Sequence, residues 1–140
     1  MIVLDTNVVS EPMKVDASPV VQAWLDRQVA ETLYLTATSL AELMFGVEVM
    51  PAGKRKDGIA AALVELLERL FGSRILPFDR EAAVTYATLV GRAQAVGRAI
   101  SVADGQIAAI AAVQSFRVAT RDAGPFLAAG LSVIDPWQAE

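Results

Sequence analysis

Ile2-Val3-Leu4-Asp5-Thr6-Asn7 sets three apolar residues directly before a carboxylate, a hydroxyl and an amide. The run reads as a short buried strand that ends in a turn or helix cap. Comparable runs recur as Leu33-Tyr34-Leu35-Thr36, Arg74-Ile75-Leu76-Pro77-Phe78, Arg117-Val118-Ala119-Thr120 and Leu131-Ser132-Val133-Ile134. Between them lie segments with helical signals. A brief helix is expected over 8–13. Val20, Val21, Trp24, Leu25 and Val29 recur at helical spacing over 19–29, with Ser18 as N-cap. A helix over 39–50 is broken by Pro51-Ala52-Gly53, and Lys54-Arg55-Lys56 leads as a solvated loop into another over 58–71. Asp79 caps a helix that Gly97 ends, Ser101 opens one over 101–114, and 126–129 is short and closed by Gly130. Short apolar strands alternating with helices predict an α/β fold, a three-layer α/β/α sandwich around a parallel sheet. No linker or repeat interrupts it, so residues 1–140 are expected to form one domain.

Composition narrows the chemistry. With 54% hydrophobic and 20% charged residues the chain is globular. It has no cysteine, which excludes disulfides, thiol catalysis and zinc–thiolate sites, and no histidine, the usual general base near neutral pH. Hydrolytic chemistry must then rest on carboxylates, hydroxyls, Lys or Arg, or a hard metal ion held by oxygen. Such ligands suit Mg²⁺ or Mn²⁺. A net charge of −4 argues against a protein that coats nucleic acid with a broad basic surface, though not against a metal-assisted nuclease. Asp5 stands where a signal peptide needs its apolar stretch, and no run approaches the roughly 20 apolar residues of a membrane span. A cytoplasmic location without membrane association is the expectation.

In sheets of this kind ligands bind beyond the carboxyl ends of the strands. That rule narrows the 16 acidic residues to a subset. Asp79, assigned to capping, also follows a strand and opens a helix, so position alone does not separate site from cap. Asp5 ends the first strand, Glu42 lies at the start of the helix after the second, Asp104 at the start of the helix before the fourth, and Asp122 two positions after the fourth. Carboxylates brought together there repel one another unless a cation neutralises them. A divalent ion does so and activates water for in-line attack on a phosphodiester. Each acid also has an ordinary explanation. Ser39-Leu40-Ala41-Glu42 and Ser101-Val102-Ala103-Asp104 match the capping box, while Asp5 and Asp122 can serve as N-caps.

The motifs themselves resemble those of PIN-domain ribonucleases of the VapC/FitB-like toxin class, over nearly the whole chain. Ile2-Val3-Leu4-Asp5-Thr6-Asn7 with Ser10-Glu11 is similar to the first motif, and Ser39-Leu40-Ala41-Glu42-Leu43 with Gly46 to the second. Ile100-Ser101-Val102-Ala103-Asp104-Gly105-Gln106-Ile107-Ala108-Ala109 resembles the third, and Ala119-Thr120-Arg121-Asp122 with Phe126 the fourth. In one departure, Ala123-Gly124-Pro125 separates Asp122 from Phe126, where Phe often comes sooner. The resemblance implies strand order 3-2-1-4-5 and a Mg²⁺ or Mn²⁺ ion held mainly by Asp5 and Asp104. Glu42 and Asp122 would complete the pocket, with Thr6 and Thr120 orienting carboxylates or water. It further implies endonucleolytic cleavage of RNA, with tRNA or rRNA as targets. The implied partners are a second copy in a homodimer and a small antitoxin with a DNA-binding module, joined in a higher assembly.

Arg98 and Arg121 flank these acids and are candidates for contacting phosphates of the substrate, or for pairing with nearby carboxylates. Trp24 and Trp137 read as packing residues. The helices over 38–50 and 58–71 carry more apolar side chains than one sheet face needs, which suits a homodimer contact or an antitoxin groove. Other Mg²⁺-dependent doubly wound folds fit poorly. A haloacid-dehalogenase-like site wants Asp where position 7 is Asn, and a receiver domain wants a Lys after its last strand, yet the lysines are Lys14, Lys54 and Lys56. A rival of another class is a non-catalytic PIN-like module that binds an antitoxin and contributes to operator regulation.

Overall fold

The computed structural model describes residues 1–139. Five parallel strands lie in the order β3-β2-β1-β4-β5, the expected order 3-2-1-4-5. They are β1 (Ile2–Leu4), β2 (Leu33–Thr36), β3 (Ile75–Leu76), β4 (Arg117–Ala119) and β5 (Val133–Ile134). Successive strand residues point to opposite faces, and both faces are covered. Ile2, Leu4, Leu33 and Leu35 pack with Val8, Val21, Leu25, Leu43, Leu63 and Phe71 on one side. Val3 and Val118 pack with Ile107, Ala108, Ala111 and Phe126 on the other. The first layer holds α1 (Thr6–Ser10), α2 (Pro19–Asp26), α3 (Ala37–Glu48) and α4 (Lys54–Leu70); the second holds α5 (Arg80–Ala95), α6 (Val102–Gln114) and α7 (Ala123–Ala128).

Two helix starts differ from the sequence expectation. The hydroxyl that caps α3 belongs to Thr36, which accepts from Ser39 N–H at 3.0 Å. The chain passes from strand to helix with no loop between, so the Ser39–Glu42 capping box does not form. α4 begins at Lys54, so Lys54-Arg55-Lys56 forms its first turn and not a loop. Cations are disfavoured at the positive end of a helix dipole. Here Asp57 shares that turn, and Lys56 Nζ reaches back to Glu48 O at the end of α3, at 3.0 Å. Asp79 caps α5 as expected, accepting from Ala82 N–H at 3.0 Å.

Gly105 fixes how closely α5 and α6 approach. A Cβ there would lie 2.6 Å from Tyr86 Cε2 and 2.8 Å from Val90 Cγ2. The tight seating holds the first turn of α6, and with it Asp104, against the sheet edge. On the outer surface Met44 and Phe45 of α3, Val49 at its C-cap and Val64 of α4 stand exposed. Among the described residues no helix is long and apolar enough to cross a membrane.

Candidate active site

β1 and β4 are adjacent, with Leu4 opposite Ala119, so their carboxyl ends deliver Asp5 and Thr120 side by side. Asp5 N–H extends the ladder by donating to Ala119 O at 2.9 Å. The Asp5 side chain is 6% exposed and both its oxygens are engaged. Oδ1 accepts from Thr6 N–H at 2.8 Å, and Oδ2 accepts from the Thr120 hydroxyl at 2.8 Å. A carboxylate oxygen has two acceptor sites, so each retains one for a further ligand.

Burial pushes the Asp5 carboxyl above its usual range, and the bonds from Thr120 and Thr6 partly offset that. The negative charges of Asp104 and Glu42 raise it further. Three of the four expected acids therefore share one electrostatic neighbourhood. Glu42 sits in the second turn of α3, exposed, with Oε1 2.8 Å from Thr6 Oγ1. Ser39 Oγ lies 3.0 Å from the same Thr6 oxygen. Thr6 has a single proton to give, and the carboxylate is the stronger acceptor. The Ser39 hydroxyl is then left to donate to Thr6, making a relay that holds Glu42 through one oxygen.

Asp104 stands in the first turn of α6, half-buried. Its N–H donates to the Ser101 hydroxyl at 3.2 Å, but its carboxylate makes no hydrogen bond among the described residues. Half of the expected capping box thus exists, and the acid itself is uncommitted.

Asp122 is placed differently. It occupies the N-cap position of α7, yet its side chain caps nothing and is exposed. Its carboxylate is not among the charges that act on Asp5. Its backbone N–H donates to Thr120 Oγ1 at 3.0 Å, which turns that hydroxyl's proton toward Asp5. Asn7 braces the same corner, with Nδ2 3.4 Å from Thr120 Oγ1 and Oδ1 accepting from Arg121 N–H at 3.4 Å. Asn7 and Ser39 both belong to motifs in the sequence, but nothing in their spacing assigned them these parts.

Neither flanking arginine meets a carboxylate. Arg98 is exposed in the turn before α6, without an ion pair among the described residues. The Arg121 guanidinium lies over the Trp137 ring, 5.1 Å from its centroid.

The donor set is all oxygen, which suits a hard divalent cation. Asp5 keeps spare acceptor sites, the Asp104 carboxylate is unbonded, and the charges of Asp104 and Glu42 act on Asp5. Among the described residues, however, no three acidic side chains form a ready-made metal cage.

The model of the PIN domain matches residues 2–130. The chain belongs to the PIN-domain family. This PIN domain is 52% identical over 139 residues to the VapC ribonuclease Y4jK of Sinorhizobium fredii, covering 99% of each chain. It is 45% identical over 137 residues to Toxin FitB of Neisseria gonorrhoeae, covering 98% of this chain and 99% of that one. Among solved structures, FitAB bound to the IR36 DNA fragment matches with a TM-score of 0.95 and 44% identity, over 100% of this chain and 98% of that one. The VapC/FitB-like character expected from the motifs is borne out.

Proposed function

We propose that this PIN domain is the ribonuclease toxin of a toxin–antitoxin pair, cutting RNA with the help of Mg²⁺ or Mn²⁺. The observation that carries the reading is that the charges of Asp104 and Glu42 both act on buried Asp5 at the carboxyl end of β1. Likeness to a VapC ribonuclease supports the activity, and likeness to Toxin FitB supports the biological role. tRNA or rRNA is the proposed target class.

Asp5, Asp104 and Glu42 are the residues that would hold the ion, Asp5 and Asp104 most firmly. When bound, it neutralises the carboxylates, draws in the phosphodiester and eases attack by water. The protein's own share is positioning. Thr120 and Thr6 N–H fix the Asp5 plane. The Ser39–Thr6 relay holds Glu42 by Oε1 and leaves Oε2 to take a proton from the attacking water. Asp122 serves through its N–H, with its carboxylate at the exposed lip, and Arg98 faces solvent where a flanking phosphate can be met. The proposed partner is a small antitoxin with a DNA-binding module, supported by the likeness to FitAB solved on DNA. Exposed Met44, Phe45, Val49 and Val64 are suited to contacts with that partner or a second copy.

Purified protein incubated with total RNA tests the activity. Cleavage is expected with Mg²⁺ and not with EDTA. Equal cleavage in both, or cleavage that survives Asp5→Asn combined with Asp104→Asn, would overturn the metal mechanism.

A further inference from the structure

Trp137 lies beyond the segment matched by the family model, in a 3-10 turn over Pro136–Gln138. Its backbone N–H donates to Asp135 Oδ1 at 2.9 Å, which fixes the turn, and its ring packs, partly buried, against the core cluster on the α2 side of the sheet. The ring is thus held from below, and Arg121 occupies its outer face at 5.1 Å. Arg121 is tethered at its other end too, through its N–H to Asn7 Oδ1 at 3.4 Å. Asn7 in turn reaches Thr120, the residue that bonds Asp5. The backbone of Arg121 is therefore part of the same corner as the acidic site, and its guanidinium rests on Trp137. It is exposed and makes no ion pair among the described residues. Stacking engages the plane of a guanidinium and leaves its N–H edge open for paired bonds to phosphate.

The rest of the molecule makes such a cation useful. The chain carries a net charge of −4, and the acidic trio repels a polyanion. Arg74, by contrast, is spent on the carbonyls of Leu33, Ala30 and Leu70, and Lys56 on Glu48 O. We infer that Arg121 on Trp137 forms a subsite for a phosphate of the RNA strand beside the scissile bond, with Trp137 as its positioning residue. The inference rests on the ribonuclease reading. The ring biases the guanidinium toward this position before RNA arrives, so less freedom is lost on binding. With its outer face taken by a cation, Trp137 is not a platform for a base.

Steady-state cleavage of a labelled RNA oligonucleotide spanning a site the wild-type protein cuts, with Mg²⁺ and over a range of salt, tests this. Arg121→Gln should raise KM about fivefold at 0.1 M salt with kcat unchanged, and reduce the log–log salt slope by about 0.7, the loss of one phosphate contact on a single strand. Trp137→Leu should raise KM less, leave the salt slope, and add nothing in the Arg121→Gln background. A wild-type salt slope in Arg121→Gln overturns the subsite while leaving the nuclease intact. Equal losses from Trp137→Leu in both backgrounds overturn the positioning role and point to base stacking. If Trp137→Leu fails to fold, Arg121→Lys replaces it: Lys keeps the charge without the planar stack, and a wild-type KM there overturns the ring's part. A wild-type protein that leaves RNA intact with Mg²⁺ overturns the ribonuclease reading and the subsite with it.

Discussion

The Thr120 hydroxyl donates to Asp5 Oδ2 across the seam between β4 and β1, at 2.8 Å, and both residues are buried. Adjacent parallel strands in register make this contact almost unavoidable once Leu4 faces Ala119. Thr120→Val keeps the shape but strands Asp5 Oδ2 and the Asp122 N–H. The expected cost is about 1–3 kcal/mol in stability for the unmet polar groups. Activity should fall by roughly 10–100-fold, as when the support of a metal ligand is removed. Denaturant melts and RNA cleavage rates check the two effects; a silent substitution would show that Asp5 needs no such support.

Burial, with the charges of Asp104 and Glu42, lifts the Asp5 carboxyl above its ordinary 3.8. A carboxyl raised on folding contributes stability that is fully present below its unfolded value and lost as pH rises through the folded one. Without metal, wild type should therefore lose stability relative to Asp5→Asn as pH climbs through the window above 3.8. Paired chemical melts from pH 3 to pH 7 would show the gap opening in that direction. A gap that stays constant would mean that Asp5 titrates as it does in the unfolded chain.

Gly105→Ala would drive a methyl to 2.6 Å from the Tyr86 ring. Overpacking of this kind costs about 1–3 kcal/mol. It should also move Asp104, the preceding residue, so cleavage should weaken even where the protein stays folded. Tyr86→Leu makes room and should recover part of both losses. Melting temperature and initial rate, measured on the single and double variants, check this together.

Most of the fold was legible in the sequence because the strands are short apolar runs separated by clear helix signals. The site was legible in its acids and less so in what holds them. Ser39 and Thr36 each have a residue three positions on that suits a cap, and only the extended backbone at Thr36 decides which hydroxyl does it. That choice releases Glu42 from capping and gives it to Thr6. Lys54-Arg55-Lys56 reads as a solvated charge cluster after the Pro51-Ala52-Gly53 break, while the neighbouring end of α3 that accepts Lys56 is a tertiary fact. Arg121 and Trp137 lie far apart in sequence, and no local pattern joins them.

Asp122 and Asp104 look equivalent as sequence and are not equivalent in space. Asp104 is half-buried and its charge acts on Asp5, whereas the exposed Asp122 carboxylate is not among the charges acting there and its N–H supports Thr120. Asp122→Asn, which keeps the N–H, should retain much more activity than Asp104→Asn. Cleavage rates of the two variants at saturating Mg²⁺ decide the order, and equal losses would place the Asp122 carboxylate among the essential acids.

If Asp5, Glu42 and Asp104 form a pocket whose repulsion a divalent cation relieves, Mg²⁺ should stabilise the folded protein. Thermal melting of wild type and Asp5→Asn, each with and without Mg²⁺, tests it most directly, because a ligand that binds only the folded state raises its melting temperature. Wild type should melt higher with Mg²⁺; Asp5→Asn should melt above wild type without metal and fail to respond when Mg²⁺ is added. A wild type indifferent to Mg²⁺, or an Asp5→Asn protein that melts lower, like one missing a helix cap, would show that these acids do not form a cation pocket.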